Sequence, residues 1–121
     1  MSSLEGLYGE VRCTGTTCAV GPRLVDAVLS SPEAVLAEGT SFAVARRDGR
    51  AVGLEARGVD EGGLAWRLGL REGDVIVQVG GMAVRSEAEV MAAAAWAMEA
   101  EKVVVVIVRE GVRIERVIVR G

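Results

Sequence analysis

The residues that most often carry chemistry in proteins are scarce in this chain. Its 121 residues include no histidine and only two cysteines. Without histidine, neither a Ser-His-Asp nor a Cys-His nucleophile can be assembled. Two cysteines cannot form an all-thiolate zinc site, and zinc sites that combine cysteine with histidine are also excluded. Catalysis by carboxylates alone stays open in principle, but the composition favours a binding domain that uses neither a metal nor a cofactor.

The two cysteines, Cys13 and Cys18, flank the loop Thr-Gly-Thr-Thr. Short β-type runs on either side, 11–13 and 18–20, predict a hairpin around this loop. Cysteines that face each other across a hairpin can form a disulfide, which requires Cα atoms only about 5.5 Å apart. We therefore expect a disulfide between them; the alternative is a pair of buried free thiols in a cytosolic protein. Redox catalysis is not expected, because it usually needs two residues between the cysteines.

The charge pattern argues against nucleic-acid and anionic-membrane surfaces. The net charge is −3, the signs are interspersed, and no run of Lys and Arg reaches five residues. The longest apolar run near the C-terminus, 103–108, is far short of the ~20 residues that span a bilayer. No signal peptide begins the sequence, so an export signal, if the natural protein is exported, is expected to lie upstream.

The predicted elements follow one another as a hairpin, two helices, two strands, a short helix, two strands, a long helix and two strands. Gly21-Pro22 opens the first helix. Ser31-Pro32-Glu33 supplies the cap, first position and acidic first turn of the second, which ends at Gly39. After the hairpin, the predicted strands span 40–45, 51–59, 74–79, 82–84, 102–109 and 112–119, and the later helices span 64–68 and 86–99.

The long helix carries the clearest start signal. Ser86 followed three residues later by Glu89 predicts a capping box, and the Ala-rich sequence that follows has high helix propensity. The two tryptophans differ in their surroundings. Trp66 lies among apolar neighbours and is expected in the core, whereas Trp96 lies near the edge of its helix stripe and is expected to be partly exposed.

The most informative segment is 68–84, which reads Leu-Gly-Leu-Arg-Glu-Gly-Asp-Val-Ile-Val-Gln-Val-Gly-Gly-Met-Ala-Val. It resembles the Gly-Leu-x-x-Gly-Asp-x-Ile run, and the turn after it, of bacterial PDZ domains. Gly69 is expected to end the short helix in a left-handed conformation, and Asp74 to accept hydrogen bonds from backbone amides. The resemblance implies an α+β fold, a PDZ-like antiparallel β-sandwich or partly open barrel with two helices.

The resemblance also implies a peptide-binding groove. In PDZ domains a loop ending in a Gly-apolar pair presents N–H groups to a terminal carboxylate, the next strand pairs with the peptide, and a helix walls the groove. The alternative is that the apolar loop residues belong to the core and the groove is closed. By position, the expected groove residues are Val52, Gly53 and Leu54 in the loop, Glu55, Ala56 and Arg57 in the pairing strand, and Glu87, Met91 and Ala94 on the helix.

Beyond this run, the chain resembles the C-terminal part of inner-membrane protein C of type II secretion systems. The residues that carry the resemblance are the Leu-x-x-Pro-x-x-x-Leu run at 29–36, the Arg-Asp-Gly turn at 47–49 and the Arg-Glu-Gly turn at 109–111. The cysteine hairpin followed by a helix is similar to certain bacterial members. The resemblance implies an N-terminal hairpin and helical extension over 1–39, packed on a PDZ domain over 40–121.

That family implies a cellular setting. The chain would be a non-catalytic module in the periplasm, anchored to the inner membrane through a segment absent from this chain. Its partner would be the secretin, a secreted substrate or the C-terminus of a peptide, with no nucleic acid and no membrane contact by this fragment. An oxidising compartment would favour the disulfide between Cys13 and Cys18.

Two other functions stay open on the sequence. The PDZ run is equally compatible with the regulatory PDZ domain of an exported serine protease of the HtrA kind. Alternatively, the Ala-rich helix with Trp96 and the strand at 103–108 could pack against a second copy in an oligomerisation module.

Overall fold

The computed structural model describes residues 4–30 and 39–121. Residues 31–38, which carry most of the predicted second helix, lie outside this description. The other predicted elements are present in the predicted order, preceded by a 3-10 helix that was not predicted, Leu4–Glu10. No helix in the two ranges is long and apolar enough to cross a membrane. The elements are β1 (Val11–Thr14), β2 (Thr17–Val20), α1 (Pro22–Ser30), β3 (Ser41–Arg47), β4 (Arg50–Arg57), α2 (Leu64–Arg67), β5 (Val75–Val79), β6 (Met82–Ala83), α3 (Glu87–Glu99), β7 (Lys102–Arg109) and β8 (Val112–Arg120).

All eight strands belong to one open sheet. The hydrogen-bonded order is β1-β2-β8-β7-β5-β4-β3, with β6 paired to β5. Every pair is antiparallel except β2 with β8, which is parallel and brings Thr17 beside Val117. Within the described residues, β1 and β3 are therefore the two ends of the sheet, and an end strand keeps one row of backbone groups unpaired.

Two hairpins close at the Arg-Asp-Gly turn of 47–49 and the Arg-Glu-Gly turn of 109–111. In β3–β4 the central residues Asp48 and Gly49 have φ values of 52° and 79°, and in β7–β8 Glu110 and Gly111 have 51° and 79°. Positive φ at both central positions defines a type I′ turn, whose twist matches that of the flanking strands. Glycine at the second position relieves the steric cost of this conformation.

The N-terminal hairpin is cross-linked and belongs to the same sheet. Cys13 pairs directly with Cys18 across β1 and β2, and their sulfur atoms are bonded at 2.00 Å. The turn is tighter than predicted, because Thr14 and Thr17 are themselves paired. Cys18 is fully buried where β2 joins β8. The predicted disulfide is confirmed.

Two clusters of buried side chains hold the sheet and helices together. The first contains Tyr8, Leu24 and Leu64, so it joins the N-terminal 3-10 helix and α1 to α2. The second contains Leu70 and Ile107 with Ala56 and lies against the sheet. Fully burying a side chain of leucine size contributes about 1.5–3 kcal/mol. The N-terminal 3-10 helix and α1 thus pack against α2.

An ion pair between a buried carboxylate and a partly exposed arginine braces the start of β5. Asp74 is 1% exposed, and its carboxylate accepts hydrogen bonds from Arg109 Nε at 2.9 Å and Nη2 at 2.7 Å. The same carboxylate accepts the backbone N–H of Arg71 at 2.8 Å, which confirms the predicted amide contact. Arg109 also donates to the carbonyl of Gly69, whose φ of 98° is the predicted left-handed stop of α2. The hydrogen bond to Asp74 raises the pKa of Arg109, so the guanidinium stays a cation.

The start of α3 differs from the prediction in one bond. The Ser86 side chain accepts the N–H of Glu89 at 3.2 Å, as a capping box requires. The Glu89 carboxylate, however, accepts the backbone N–H of Arg85 at 2.8 Å and bonds the Arg85 guanidinium at 2.9 Å. The Glu89 carboxylate therefore bonds the N–H of Arg85, one residue before the N-cap, where a capping box would have it bond the N–H of Ser86. Arg85 provides both an amide and a charged guanidinium as donors.

Candidate functional site

The predicted carboxylate loop is not a loop in this structure. Val52, Gly53 and Leu54 lie inside β4. Gly53 is buried, and a Cβ atom there would overlap the carbonyl oxygen of Ile76 on β5. The glycine thus permits two backbones to approach closely. The register passes from Ala45–Gly53 to Arg46–Ala51, which leaves Val52 as the extra residue of a β-bulge.

The strand predicted to pair with a peptide has neighbours on both sides. β4 pairs with β3 along its length, and Leu54 and Glu55 also pair with β5. The N–H of Ala56 donates to Asp74 O at 2.8 Å, so this amide is occupied as well. Strand addition at Glu55–Arg57, as predicted, would have to break existing pairs. Peptide pairing at Glu55–Arg57 stays a prediction, and the unpaired edge nearest to it in the described sheet lies on β3.

One of the two free edges of the described sheet belongs to β3. It is the last strand of the sheet order over the described residues. Phe42 and Val44 are exposed by 48% and 45%, and Arg46 is exposed. Alternate residues of a strand point to one face, so these three side chains share a face of β3. A strand edge that presents large apolar side chains to solvent is a template for pairing with another chain.

A cavity of about 270 Å³ adjoins this edge. Thr40 and Phe42 line it on the β3 side, and apolar side chains of α2, β5, β7 and β8 complete its wall. The charged residue in its lining is Arg116. A pocket with apolar walls and few polar groups is typical of ligand-binding sites.

A second cavity, of about 440 Å³, lies between α1 and α3. Ala94 and Ala97 line it from α3, and Leu24 and Val28 line it from α1. The two cavities adjoin, and we call them together the apolar trough. The residues that line both are Leu64, Leu68, Val79, Val105 and Ile118.

The three helix residues predicted to face the groove have different surroundings in the structure. Ala94 lines the apolar trough. Met91 is 67% exposed. Glu87 is the first residue of α3, and its side chain is outside the description. Of the two tryptophans, Trp66 is half-buried under the Arg71 guanidinium, 4.3 Å from its ring, and Trp96 is 44% exposed while covering Gly80.

Arg116 links the disulfide hairpin to the trough. Its Nη2 donates to Cys18 Sγ at 3.1 Å and its Nη1 to the Gly15 carbonyl at 3.3 Å. Its Nε is buried and has no hydrogen-bond partner among the described residues. Burial lowers the pKa of this guanidinium, and the nearby charges of Arg109 and Arg71 lower it further. An arginine remains protonated at neutral pH despite such a shift, so the side chain holds a positive charge against the hairpin.

Comparison with known proteins identifies the segment around β5. Residues 55–109 match the family model of the PDZ domain. No curated protein sequence matches the chain. Among solved structures, the PDZ domain of EpsC from Vibrio cholerae has a TM-score of 0.57 at 21% identity, over 80% of this chain and 91% of that chain.

A second solved structure is the PDZ domain of the pullulanase C protein of the type II secretion system from Klebsiella pneumoniae, in complex with fatty acid. Its TM-score is 0.51 at 16% identity, over 79% of this chain and 98% of that chain. At these identities the likeness concerns the fold. The predicted fold class is thereby confirmed: an open, largely antiparallel sheet with helices, carrying the disulfide hairpin.

Sequence reasoning missed the edge of β3 although a signal for it was present. Phe42 and Val44 alternate with small residues in a strand that opens immediately after Gly39-Thr40. That pattern predicts a strand, and it says nothing about which neighbours the strand has. We predicted the carboxylate-binding loop at the Gly-Leu pair of 53–54 because this pair matches the composition of the family's loop. Its position inside β4, paired with β5, depends on residues about twenty positions later.

Proposed function

We propose that the chain is a non-catalytic protein-binding module that takes up an extended partner segment along the edge of β3. The match of residues 55–109 to the PDZ family model supports the module class. The observation that carries the proposal is the free row of backbone groups on β3, beside exposed Phe42 and Val44. Main-chain hydrogen bonds supply affinity in strand addition, and pockets for alternate side chains supply specificity.

The cavity next to β3 supports this assignment of the edge. Phe42 belongs both to the strand and to the cavity wall. A partner strand paired with β3 would place every second side chain on the face that Phe42 shares. An apolar side chain there would cover Phe42 and enter the cavity, which removes apolar surface from water at about 25 cal/mol per Å².

We place the module in a type II secretion apparatus, with the periplasm as its compartment and an inner-membrane anchor upstream. The likeness to the Klebsiella pneumoniae domain supports this proposal, and a disulfide is typical of proteins that fold in an oxidising compartment. The partner would then be the secretin or a secreted substrate.

The regulatory PDZ domain of an HtrA-like protease and an oligomerisation module are the alternatives. A protease domain encoded directly upstream would decide for the first, and a concentration-dependent mass of twice the chain for the second.

A second candidate function is the binding of an aliphatic chain in the apolar trough. The Klebsiella pneumoniae domain is described in complex with fatty acid, and the trough here comprises cavities of about 270 and 440 Å³ with apolar walls. If the trough binds an aliphatic chain, titration with a fatty acid should shift the backbone amide NMR signals of Leu68 and Val79. Strand addition should instead shift the amide signals of β3 first.

The test of strand addition is a titration of the isotope-labelled chain with periplasmic segments of a secretin, followed by backbone amide NMR. We expect the shifts to concentrate in 41–47. The variant Phe42→Ser/Val44→Ser should weaken binding at least tenfold, since it removes the two exposed apolar side chains of the edge. Val112→Ser is the matched control, because Val112 is 60% exposed on β8. Shifts confined to β4 or α3, or equal affinity of the two variants, would overturn the proposal.

A further inference from the structure

The edge of β3 carries a charge gradient along its length. At the hairpin end lie Arg46, Arg47 and Arg50, all exposed, with Asp48 between them in the turn. In the described part of the chain, none of the three arginines has a carboxylate within ion-pair distance. Three cations and one anion give this end a local charge of +2, in a chain whose net charge is −3.

The opposite end of the edge has a carboxylate beside it. Asp60 Oδ2 lies 3.9 Å from the position that a Cβ atom on Gly39 would occupy. Thr40 is tied to the same loop through its hydroxyl, which donates to Gly58 O at 3.3 Å. A second carboxylate brought to this point would be repelled by Asp60, because like charges at close range destabilise one another.

The middle of the edge is apolar, and its side chains lie on the same face of β3 as one of the arginines at the basic end. Phe42, Val44 and Arg46 share one face of the strand. The rise of a strand is about 3.3 Å per residue, so the arginine lies roughly 13 Å from the phenylalanine. A partner strand would need apolar side chains opposite the first two and an acidic side chain opposite the third.

From this pattern we propose that the partner of the β3 edge is an internal, extended segment in which a short acidic run precedes alternating apolar residues. The inference rests on the proposed strand addition and names its ligand class. Antiparallel pairing is slightly more stable per residue than parallel pairing, and it places the N-terminal end of the segment at the arginines. The acidic run therefore comes first, and the end of the segment that follows the apolar residues lies beside Asp60, where a free terminal carboxylate is disfavoured.

The test uses four synthetic peptides and isothermal titration at low salt. The first, acetylated and amidated, has three glutamates followed by Thr-Val-Thr-Val-Thr. The second has glutamines in place of the glutamates. The third has the glutamates at the other end, and the fourth is the first with a free C-terminal carboxylate. Opposite-charge pairs across strands are modest and screened by salt, so we expect the first peptide to bind about tenfold more tightly than the second.

Matched variants locate the effect. In Arg46→Gln/Arg47→Gln the advantage of the glutamate peptide should disappear, whereas Arg113→Gln, an exposed arginine on β8, should retain it. Both exchanges lie on the surface, and circular dichroism and thermal unfolding of the variants check that the fold is retained. High salt should likewise bring the glutamate and glutamine peptides to equal affinity.

The outcomes separate the inference from the proposed function. If the glutamate and glutamine peptides bind equally and both shift the amides of β3, the charge rule is overturned and strand addition stands. If no peptide shifts those amides, strand addition fails and the inference fails with it. Tighter binding of the third peptide would overturn the antiparallel orientation, and tighter binding of the fourth would overturn the exclusion of a terminal carboxylate.

Discussion

The start of β5 and the edge of β3 differ in how completely their polar groups are hydrogen-bonded within the chain. At Asp74, both carboxylate oxygens are bonded and the side chain is 1% exposed. Along β3, one row of backbone groups is unpaired in the described sheet and three arginines nearby have no ion-pair partner there. The carboxylate of Asp74 is fully hydrogen-bonded within the chain, whereas the outer backbone groups of β3 remain unpaired. The comparison shows that the segment resembling PDZ domains uses its polar groups within the chain, whereas the unpaired groups of β3 lie outside that segment.

The largest effect expected from this contrast is on Asp74→Ala. Removing the carboxylate leaves the Arg71 N–H without its acceptor and Arg109, which is about a third exposed, without its charged partner; we expect a cost of about 2–4 kcal/mol. Urea unfolding monitored by circular dichroism should show this loss in the free energy of unfolding. Asp26→Ala is the matched control, since Asp26 is exposed on α1, and it should change stability by less than about 0.5 kcal/mol. Equal losses in the two variants would contradict the role of Asp74 as a brace.

A smaller effect is expected from the edge itself. Phe42→Ser/Val44→Ser removes side chains that are about half exposed, so the free energy of unfolding should fall by no more than about 1–2 kcal/mol. Binding of the glutamate peptide should nevertheless be lost, as measured by calorimetry. A variant that unfolds as easily as Asp74→Ala would show that β3 belongs to the scaffold, and the contrast between the two regions would fail.

The smallest effect concerns a charged pair on the surface. The Arg85 guanidinium, with its hydrogen bond, lowers the pKa of Glu89 from its ordinary value. A carboxylate whose pKa is lower in the folded state stabilises the fold above its unfolded pKa of about 4.3, and this contribution is lost as pH falls through the folded pKa. Glu89→Gln should therefore unfold with a weaker pH dependence between about pH 5 and 2. Thermal unfolding across that range checks the expectation, and parallel curves for the two proteins would contradict it.

Much of the scaffold could be predicted from the sequence because its signals are local. Asp48-Gly49 encodes a type I′ turn, Ser86 encodes a helix start, and Gly69 encodes a helix stop. Each depends on backbone conformation or a bond within a few residues. The disulfide belongs with them, because Cys13 and Cys18 are close in the chain before the fold forms.

The position of the free edge could not be predicted in the same way because it depends on pairing between distant segments. Whether β4 is interior is decided by β5, which contacts Leu54 and Glu55 from residues 75–76. Nothing in 51–57 signals that second neighbour. Similarly, the Arg109 partner of Asp74 lies 35 positions away, and the sequence indicates only that the aspartate seeks donors. The division of the chain at residue 39 stays a prediction.

The parallel pairing of β2 with β8 has a consequence for the order of folding. Thr17 pairs with Val117, about one hundred positions later in the chain, whereas the hairpin β1–β2 closes over a two-residue turn. Local contacts form early and contacts of high sequence separation form late. In the folded chain the hairpin covers one edge of β8. Without it, β8 would be a valine-rich strand with an open edge, which is a template for pairing with another chain.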